Sequence, residues 1–297
     1  MAKEIDLYAR QKRLAWFLVT PAVFIVLLIV AYPLIQVVYT SFFRAKLDGS
    51  VEPKFVGLDN YANILADPDW WSAVRVTLLF TVFSVGIEAA LGLGVALVAN
   101  SKFKGRTLLR VAVLVPWAIP TVVSSQIWRW MFNQIYGVVN VIMVSLHIVP
   151  ETDKIAWLAA PATALPVIIA VDVWKTTPFM SLLLLAGLQL IPKDLYEAAS
   201  IDGAGPLKKF FSVTFPLVLP TLLVALIFRT LDALRVFDIF YVMVQGQAGL
   251  QTMAVYNQIQ LILFGKSGYG SAVSVIILLI IMTFVVLYTR LSKTSFE

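Results

Sequence analysis

Six stretches of this chain, at about 14–40, 74–99, 109–131, 161–190, 217–243 and 268–290, are each apolar over at least the ~20 residues that a helix needs to cross a hydrocarbon core. Lipid offers the backbone no hydrogen-bond partners, and a helix meets that condition within a single segment. The expected fold is therefore an all-α membrane protein with six transmembrane helices, forming one membrane domain over residues 1–297. Composition agrees: 60% of residues are hydrophobic and 13% charged, against roughly 45–50% and 25% in soluble domains. The first apolar run is far longer than the roughly 7–15-residue core of a signal peptide, and no small-residue cleavage site follows it, so it is read as a retained span.

Lys and Arg sort the segments between the runs. One set holds Lys3, Arg10, Lys12 and Arg13, then Lys102, Lys104, Arg106 and Arg110, then Lys193, Lys208 and Lys209, then Arg290 and Lys293. The alternate set holds only Arg44, Lys46, Lys54, Lys154 and Lys266. The positive-inside bias puts both termini and the 191–216 segment in the cytoplasm. The same clustering beside apolar runs explains the net charge of +6 without a nucleic-acid partner. Trp70 and Trp71 are expected at the lipid–water boundary. Gly86, Gly92 and Gly94 are expected to let helices approach closely, and Pro116 and Pro120 to kink the third span. Residues 138–149 are expected to form a short surface helix.

Several chemistries are excluded. There is no cysteine, hence no disulfide, thiolate metal site or cysteine nucleophile. His147 is the single histidine, so no multi-histidine metal site exists, and it is read as a surface or packing residue. Gly265-Lys266-Ser267 resembles the end of a phosphate-binding loop, but Gln260 stands where the first glycine belongs and no strand precedes it. No Gly-x-Ser-x-Gly occurs. The chain is read as a non-enzyme with no nucleotide site of its own.

Charges inside apolar runs are costly and mark function by default. Arg229, Asp232, Arg235 and Asp238 recur every third residue with alternating sign. Neighbours three apart on a helix can pair, while four such positions sweep about half the circumference. Two readings stand: a paired ladder fastening the fifth span to its neighbours, or the polar lining of a substrate path. Asp172 and Lys175 share the spacing and both readings. Glu88 has no local partner and is expected to meet a basic residue on another span. If the cargo is a sugar, aromatic faces and polar groups beside these charges become candidates: Trp174, Tyr241, Asn257 and Gln258 join Lys175, Asp232, Arg235 and Asp238 as the candidate path.

The most distinctive polar stretch is Glu197-Ala-Ala-Ser-Ile-Asp202-Gly203-Ala204-Gly205. A helix-forming triplet leads into two glycines and Pro206, which read as helix, tight turn, helix. Glu197, Ala198, Ala199, Gly203 and Pro216 also fall at the spacing of the Glu-Ala-Ala loop of bacterial ABC-importer permeases, with Val213 and Phe215 replacing that pattern's Ile and Leu. The stretch resembles the carbohydrate-uptake, maltose/trehalose-type members. Pro116-Trp-Ala-Ile-Pro120, Trp128-Arg-Trp-Met-Phe132, Gly137-Val-Val-Asn140, Trp174-Lys-Thr-Thr-Pro-Phe179, Leu188-Gln-Leu-Ile-Pro192 and the stretch from Arg229 to Asp238 extend the likeness over nearly the whole chain. One departure is the loop after the fifth span, Gln245-Gly-Gln-Ala-Gly249, where that family usually has Gly-Gly-Gly-Pro.

The resemblance implies a type I importer permease fold in the bacterial inner (plasma) membrane. It also implies a second homologous permease, two cytoplasmic ATPases that hold the ATP and Mg, and an extracytoplasmic solute-binding protein. Glu197, Ala198, Ala199, Asp202, Gly203 and Ala204 would dock on the ATPase, and the cargo would be an α-linked disaccharide such as trehalose or maltose. A glycerol-phosphate importer of similar build is an alternative. So is an ion-coupled secondary transporter, although the two related halves usual in such proteins are not found.

Overall fold

The computed structural model describes the backbone of residues 2–293 and the side chains of residues 10–290. The side chains of Lys3 and Lys293, counted in the charge bias, lie outside the described residues. Two compact units are present: Met1–Ala66 with Asn257–Leu278, and Asp67–Tyr256 with Leu279–Glu297.

The first unit opens with α1 (Ala2–Ser41), whose apolar stretch has none of its residues buried within the chain. The strands β1 (Phe43–Arg44) and β2 (Lys54–Phe55) pair antiparallel, and α2 (Asp59–Ala66) follows. Asn60 ties this loop together, donating to the carbonyls of Ser41 (2.8 Å) and Phe43 (3.0 Å). The 43–47 backbone is zipped to 265–268 through Leu47 N–H to Gly265 O (2.8 Å). At Gly268 a Cβ would stand 1.8 Å from the Phe43 carbonyl oxygen, so only glycine fits there.

The second unit begins with α3 (Pro68–Asn100). Asp67 caps it by accepting from Asp69 N–H, and Pro68 takes the first turn, where a missing N–H costs nothing. Then come α4 (Arg106–Ala118), α5 (Thr121–Met131) and α6 (Val138–Ser145). The helix α7 (Pro161–Gln189) leads to the short α8 (Lys193–Ile201) and α9 (Pro206–Lys209). A π-helical turn at Phe210–Thr214 joins α9 to α10 (Phe215–Leu234), and α11 (Asp238–Val244) and α12 (Met253–Gln258) follow. The last helix, α13 (Ser267–Lys293), begins in the first unit and ends in the second.

Among the described residues, five helices are long and apolar enough to cross a membrane, and six if α4 and α5 count as one span. That pair is bent by 89°. The kink expected at Pro116 and Pro120 is a full break: Pro120 drives the residue before it out of the helical region, and Ile119 lies extended at φ −74°, ψ 131°. The fifth span is likewise not one helix over 217–243. It runs from Pro206 to Leu234, loses helical geometry at Arg235–Phe237, and restarts at Asp238.

The helices α3, α7 and α10 pack around Ala96, Ala99, Met180, Leu184, Leu188, Val218 and Ala225. Lipid removes the hydrophobic drive between spans, so small residues that admit close contact carry the packing. At Gly92 a Cβ would lie 2.6 Å from the Met180 side chain, and at Gly187 2.5 Å from Thr221. Gly86 and Gly94, expected to act likewise, face open space. Trp70, expected at the lipid–water boundary, is instead 1% exposed and packs on Tyr256 with ring centroids 5.7 Å apart, whereas Trp71 is exposed. Asn140 organises the segment after α5: it donates to Gln134 O and Ile155 O and accepts from Ile155 N–H and Trp157 Nε1, saturating its amide.

Candidate functional site

The polar elbow is built by local rules. Helix α8 ends at Ile201 with Asp202 as its C-cap, Gly203 adopts the left-handed conformation at φ +75°, and two bonds close the end. Ala204 N–H reaches Ala199 O (2.9 Å) and Gly203 N–H reaches Ser200 O (3.1 Å). This is a Schellman cap, which places glycine one residue beyond the helix. Nothing lies within 4 Å of a Cβ built at Gly203, so glycine is needed there for backbone geometry, not for space. Lys209 Nζ then donates to Ser200 Oγ (2.7 Å), and the Tyr196 hydroxyl meets Thr214 Oγ1 at 3.0 Å, bracing one arm against the other. Tyr196 and Val213 rest on the apolar cluster of α3, α7 and α10. Glu197, Ala198, Asp202 and Gly203 are exposed, with Ala199 and Ala204 half-buried. Ile201 and Leu207 project at 87% and 76% exposure.

The intramembrane charges form part of the ladder that one reading of their spacing predicts: Asp232 pairs with Arg229 (3.2 Å) and Arg235 (3.6 Å), three residues to either side, but Asp238 stands outside it. Arg229, 3% exposed, turns away from its own helix toward α3 and α7. Its Nε donates to Glu88 Oε2 (2.5 Å) and its Nη2 to Glu88 Oε1 (3.0 Å), a bidentate fork. The same Nη2 contacts Asp172 Oδ2, and Nη1 reaches Asp232 Oδ2 at 3.2 Å. Ser84 Oγ lies within donating distance of Glu88 Oε1 (2.7 Å) and Asp172 Oδ2 (2.5 Å), and Thr176 Oγ1 donates toward Glu88 Oε1 (2.6 Å). Three helices are thereby fastened by one guanidinium between two buried carboxylates. Glu88 thus finds its basic partner on another span, as expected. Arg235 reaches only Asp232, at 3.6 Å, and Asp238 makes no ion pair among the described residues. The break at Arg235–Phe237 cuts the spacing in two, and the Val236 carbonyl freed there accepts from Thr252 Oγ1 (2.8 Å).

Lys175 does not pair with Asp172 three residues away. Buried at 7% exposure, it donates from Nζ to Ile119 O (2.8 Å), the carbonyl released where α4 breaks from α5. A cation at a helix C-terminus also opposes the negative end of its dipole.

The remaining candidates fall in separate places. Asp232 and Arg235 line a cleft of about 240 Å³ with Trp117, Phe179 and Phe228. Tyr241 stacks on Phe237 (5.0 Å) and lines a larger cleft of about 670 Å³ between α5 and α11. Gln126, Arg129, Trp130 and Gln245 share that larger cleft. With its amide oxygen facing the guanidinium, Gln245 accepts from Arg129 Nη1 (3.0 Å) and Nη2 (3.2 Å). These four polar or aromatic side chains carry no sequence signal for a shared cleft, because α5 and α11 lie more than 100 residues apart in the chain and only their packing brings them together. Trp174 meets Trp128 edge-on at 5.3 Å. Asn257 and Gln258 belong to the other unit, where Asn257 Nδ2 donates to Ser274 Oγ (2.8 Å) and its Oδ1 has no partner. His147 is exposed, in a left-handed conformation at φ +56°.

Membrane-spanning helices held by a buried charge node, with aromatic and polar clefts beside it and a capped elbow joining two spans, define a transport component of the membrane. The chain belongs to the family of binding-protein-dependent transport system inner membrane components, which residues 89–295 match. It is 42% identical over 288 residues to the trehalose/maltose transport system permease protein MalF of Thermococcus litoralis, covering 96% of this chain and 95% of that one. It is 40% identical to the sulfoquinovosyl glycerol transport system permease protein SmoG of Agrobacterium fabrum, covering 95% and 91%. The trehalose transport system permease protein SugA of Mycobacterium tuberculosis is also 40% identical, covering 90% and 84%. The fold matches the crystal structure of a bacterial ABC transporter involved in the import of the acidic polysaccharide alginate, with a TM-score of 0.84 and 21% identity over 97% of this chain and 99% of that one. The chain is accordingly an all-α inner-membrane permease, a transport component rather than an enzyme.

Proposed function

We propose that this chain forms half of the translocation path of an ATP-driven sugar importer that takes α-linked disaccharides, trehalose or maltose, from a solute-binding protein. Two relatives named for trehalose or maltose transport, at 42% and 40% identity, support that cargo class. ATP and Mg belong to two partner ATPases, and a second homologous permease completes the path. Both termini and the elbow face the cytoplasm. The observation that carries the coupling role is the elbow itself. Its turn is rigidly capped, its outer face is exposed, and its inner face rests through Tyr196 and Val213 on the helices that carry the charge node. A push on Glu197 and Ile201 would therefore move the spans together.

The proposed sugar path runs over Tyr241, Asp232 and Arg235, with Trp174 and Asp238 as further contacts, while Asn257 and Gln258, which belong to the other unit, are proposed as sugar contacts within that unit. Lys175 acts on the path indirectly, through the α4–α5 break. The ion-coupled alternative loses support, because Glu88 and Asp172, the carboxylates such a cycle would titrate, are both held by Arg229.

The test is uptake of labelled trehalose and maltose into vesicles carrying the assembled importer. Uptake is expected only with internal ATP, and Glu197→Lys is expected to abolish it while leaving membrane insertion intact. Uptake driven by a proton or sodium gradient without ATP would overturn the reading. Uptake of sulfoquinovosyl glycerol in preference to both disaccharides would overturn the cargo.

A further inference from the structure

Lys266 was set aside as part of a false phosphate-loop motif, yet its surroundings make an anion site of another kind. Arg44 and Lys46, which follow α1, and Lys266, which precedes α13, line one cleft of about 410 Å³ with Asn63 and Tyr269. Three cations converge there, and no carboxylate is among the lining residues. The walls are built rather than accidental. The 43–47 and 265–268 backbones are hydrogen-bonded to each other, Gly268 admits no side chain against Phe43, and the β1–β2 pair holds Arg44. The Lys266 ammonium is held in place by the Phe264 and Tyr269 rings, at 5.3 and 5.5 Å, and by Gln260 Oε1 at 3.2 Å.

Two further features select the occupant. The cleft lies where one membrane-length helix ends, at Ser41, and another begins, at Ser267, so helices of that length crossing a bilayer would bring it to the headgroup region. Beside Lys266 run Ile262, Leu263 and Phe264, exposed by 60%, 72% and 53%. Cations next to an exposed apolar run suit an amphiphile with an anionic head better than a free anion or an acidic protein segment. We infer that this cleft binds the headgroup phosphate of an anionic phospholipid, with an acyl chain lying along Ile262–Phe264.

The test uses the full chain in its assembled transporter, reconstituted in phosphatidylcholine nanodiscs with or without phosphatidylglycerol. Retained lipid is counted by native mass spectrometry after extraction. Wild type should keep phosphatidylglycerol, and each of Arg44→Gln, Lys46→Gln and Lys266→Gln should weaken retention about fivefold. Lys266→Arg and the Lys54→Gln control, which lies outside the cleft, should retain it. An unchanged melting temperature of the triple variant in pure phosphatidylcholine would show that the loss is not misfolding. If the triple variant keeps phosphatidylglycerol like wild type, the inference is overturned. It is equally overturned if inorganic phosphate displaces the lipid at matched concentration, or if the variants lose only docking of the solute-binding protein while lipid retention is unmoved, which would assign the cleft to a carboxylate of that partner.

Discussion

At the node, each buried charge is met inside the chain: Glu88 and Asp172 by Arg229, and the guanidinium further by Asp232. On the elbow the opposite holds. Glu197, Asp202 and Lys208 are exposed and make no ion pair among the described residues, and Ile201 and Leu207 stand in the open beside them. Both regions are polar interruptions of apolar sequence. One is closed on itself and holds helices together, while the other is rigid in its backbone and unsatisfied on its surface. A polar stretch in a membrane protein thus discloses its role less by its residue types than by whether the chain supplies the partners.

That contrast can be broken most forcefully at Arg229. Arg229→Met leaves two carboxylates buried without a counter-charge and is expected to cost about 3–5 kcal/mol, read as a large drop in detergent melting temperature. Adding Glu88→Gln and Asp172→Asn should restore most of it. If Arg229→Met melts like wild type, the node does not hold the spans together. A smaller loss, about 1–3 kcal/mol, is expected for Lys175→Met, which removes a charged donor from the half-buried Ile119 carbonyl. Cysteine cross-linking across α4 and α5 should then show a looser break, and unchanged cross-linking would refute the clamp.

Smallest in global stability is Gly203→Ala. It forces a side chain into the left-handed region at a cost of about 1–2 kcal/mol, confined to the end of α8. The melting temperature should hold steady while ATP-driven uptake falls severalfold. A fall in melting comparable to that of Arg229→Met would mean that the elbow is no independent module.

Much of the elbow was readable because its determinants are neighbours in sequence. Glu-Ala-Ala favours helix, Gly203 answers a left-handed cap two residues beyond Ile201, and Pro206 opens the next helix. The short helix expected at 138–149 was visible for the same reason, as an apolar run between turn residues, although it stops at Ser145. The charges were legible only in part, because local spacing competes with distant partners: the Arg229–Asp232–Arg235 pairs are there, but Asp238 falls outside them and Arg229 also binds α3 and α7. Arg229 to Asp238 looks like a helical ladder only if the helix continues, and no residue between Leu234 and Asp238 announces that it stops. Thr252, far along the chain, supplies the donor that makes the break tolerable. The pull of α3 on Arg229 is equally invisible in a one-dimensional pattern.

By itself, then, the amino-acid order determined that this protein lives in lipid, which stretches are apolar enough to cross it, and where the capped turn falls, since apolar length and backbone preference act over a few residues at a time. Tertiary structure alone decided that the fifth span breaks at Arg235–Phe237 and which partners the buried charges take on other helices. A carbonyl released at Ile119 or a carboxylate buried at Glu88 needs a donor brought from another segment, because in a low-dielectric interior an unpaired polar group is costly and the nearest chain neighbours do not supply that donor.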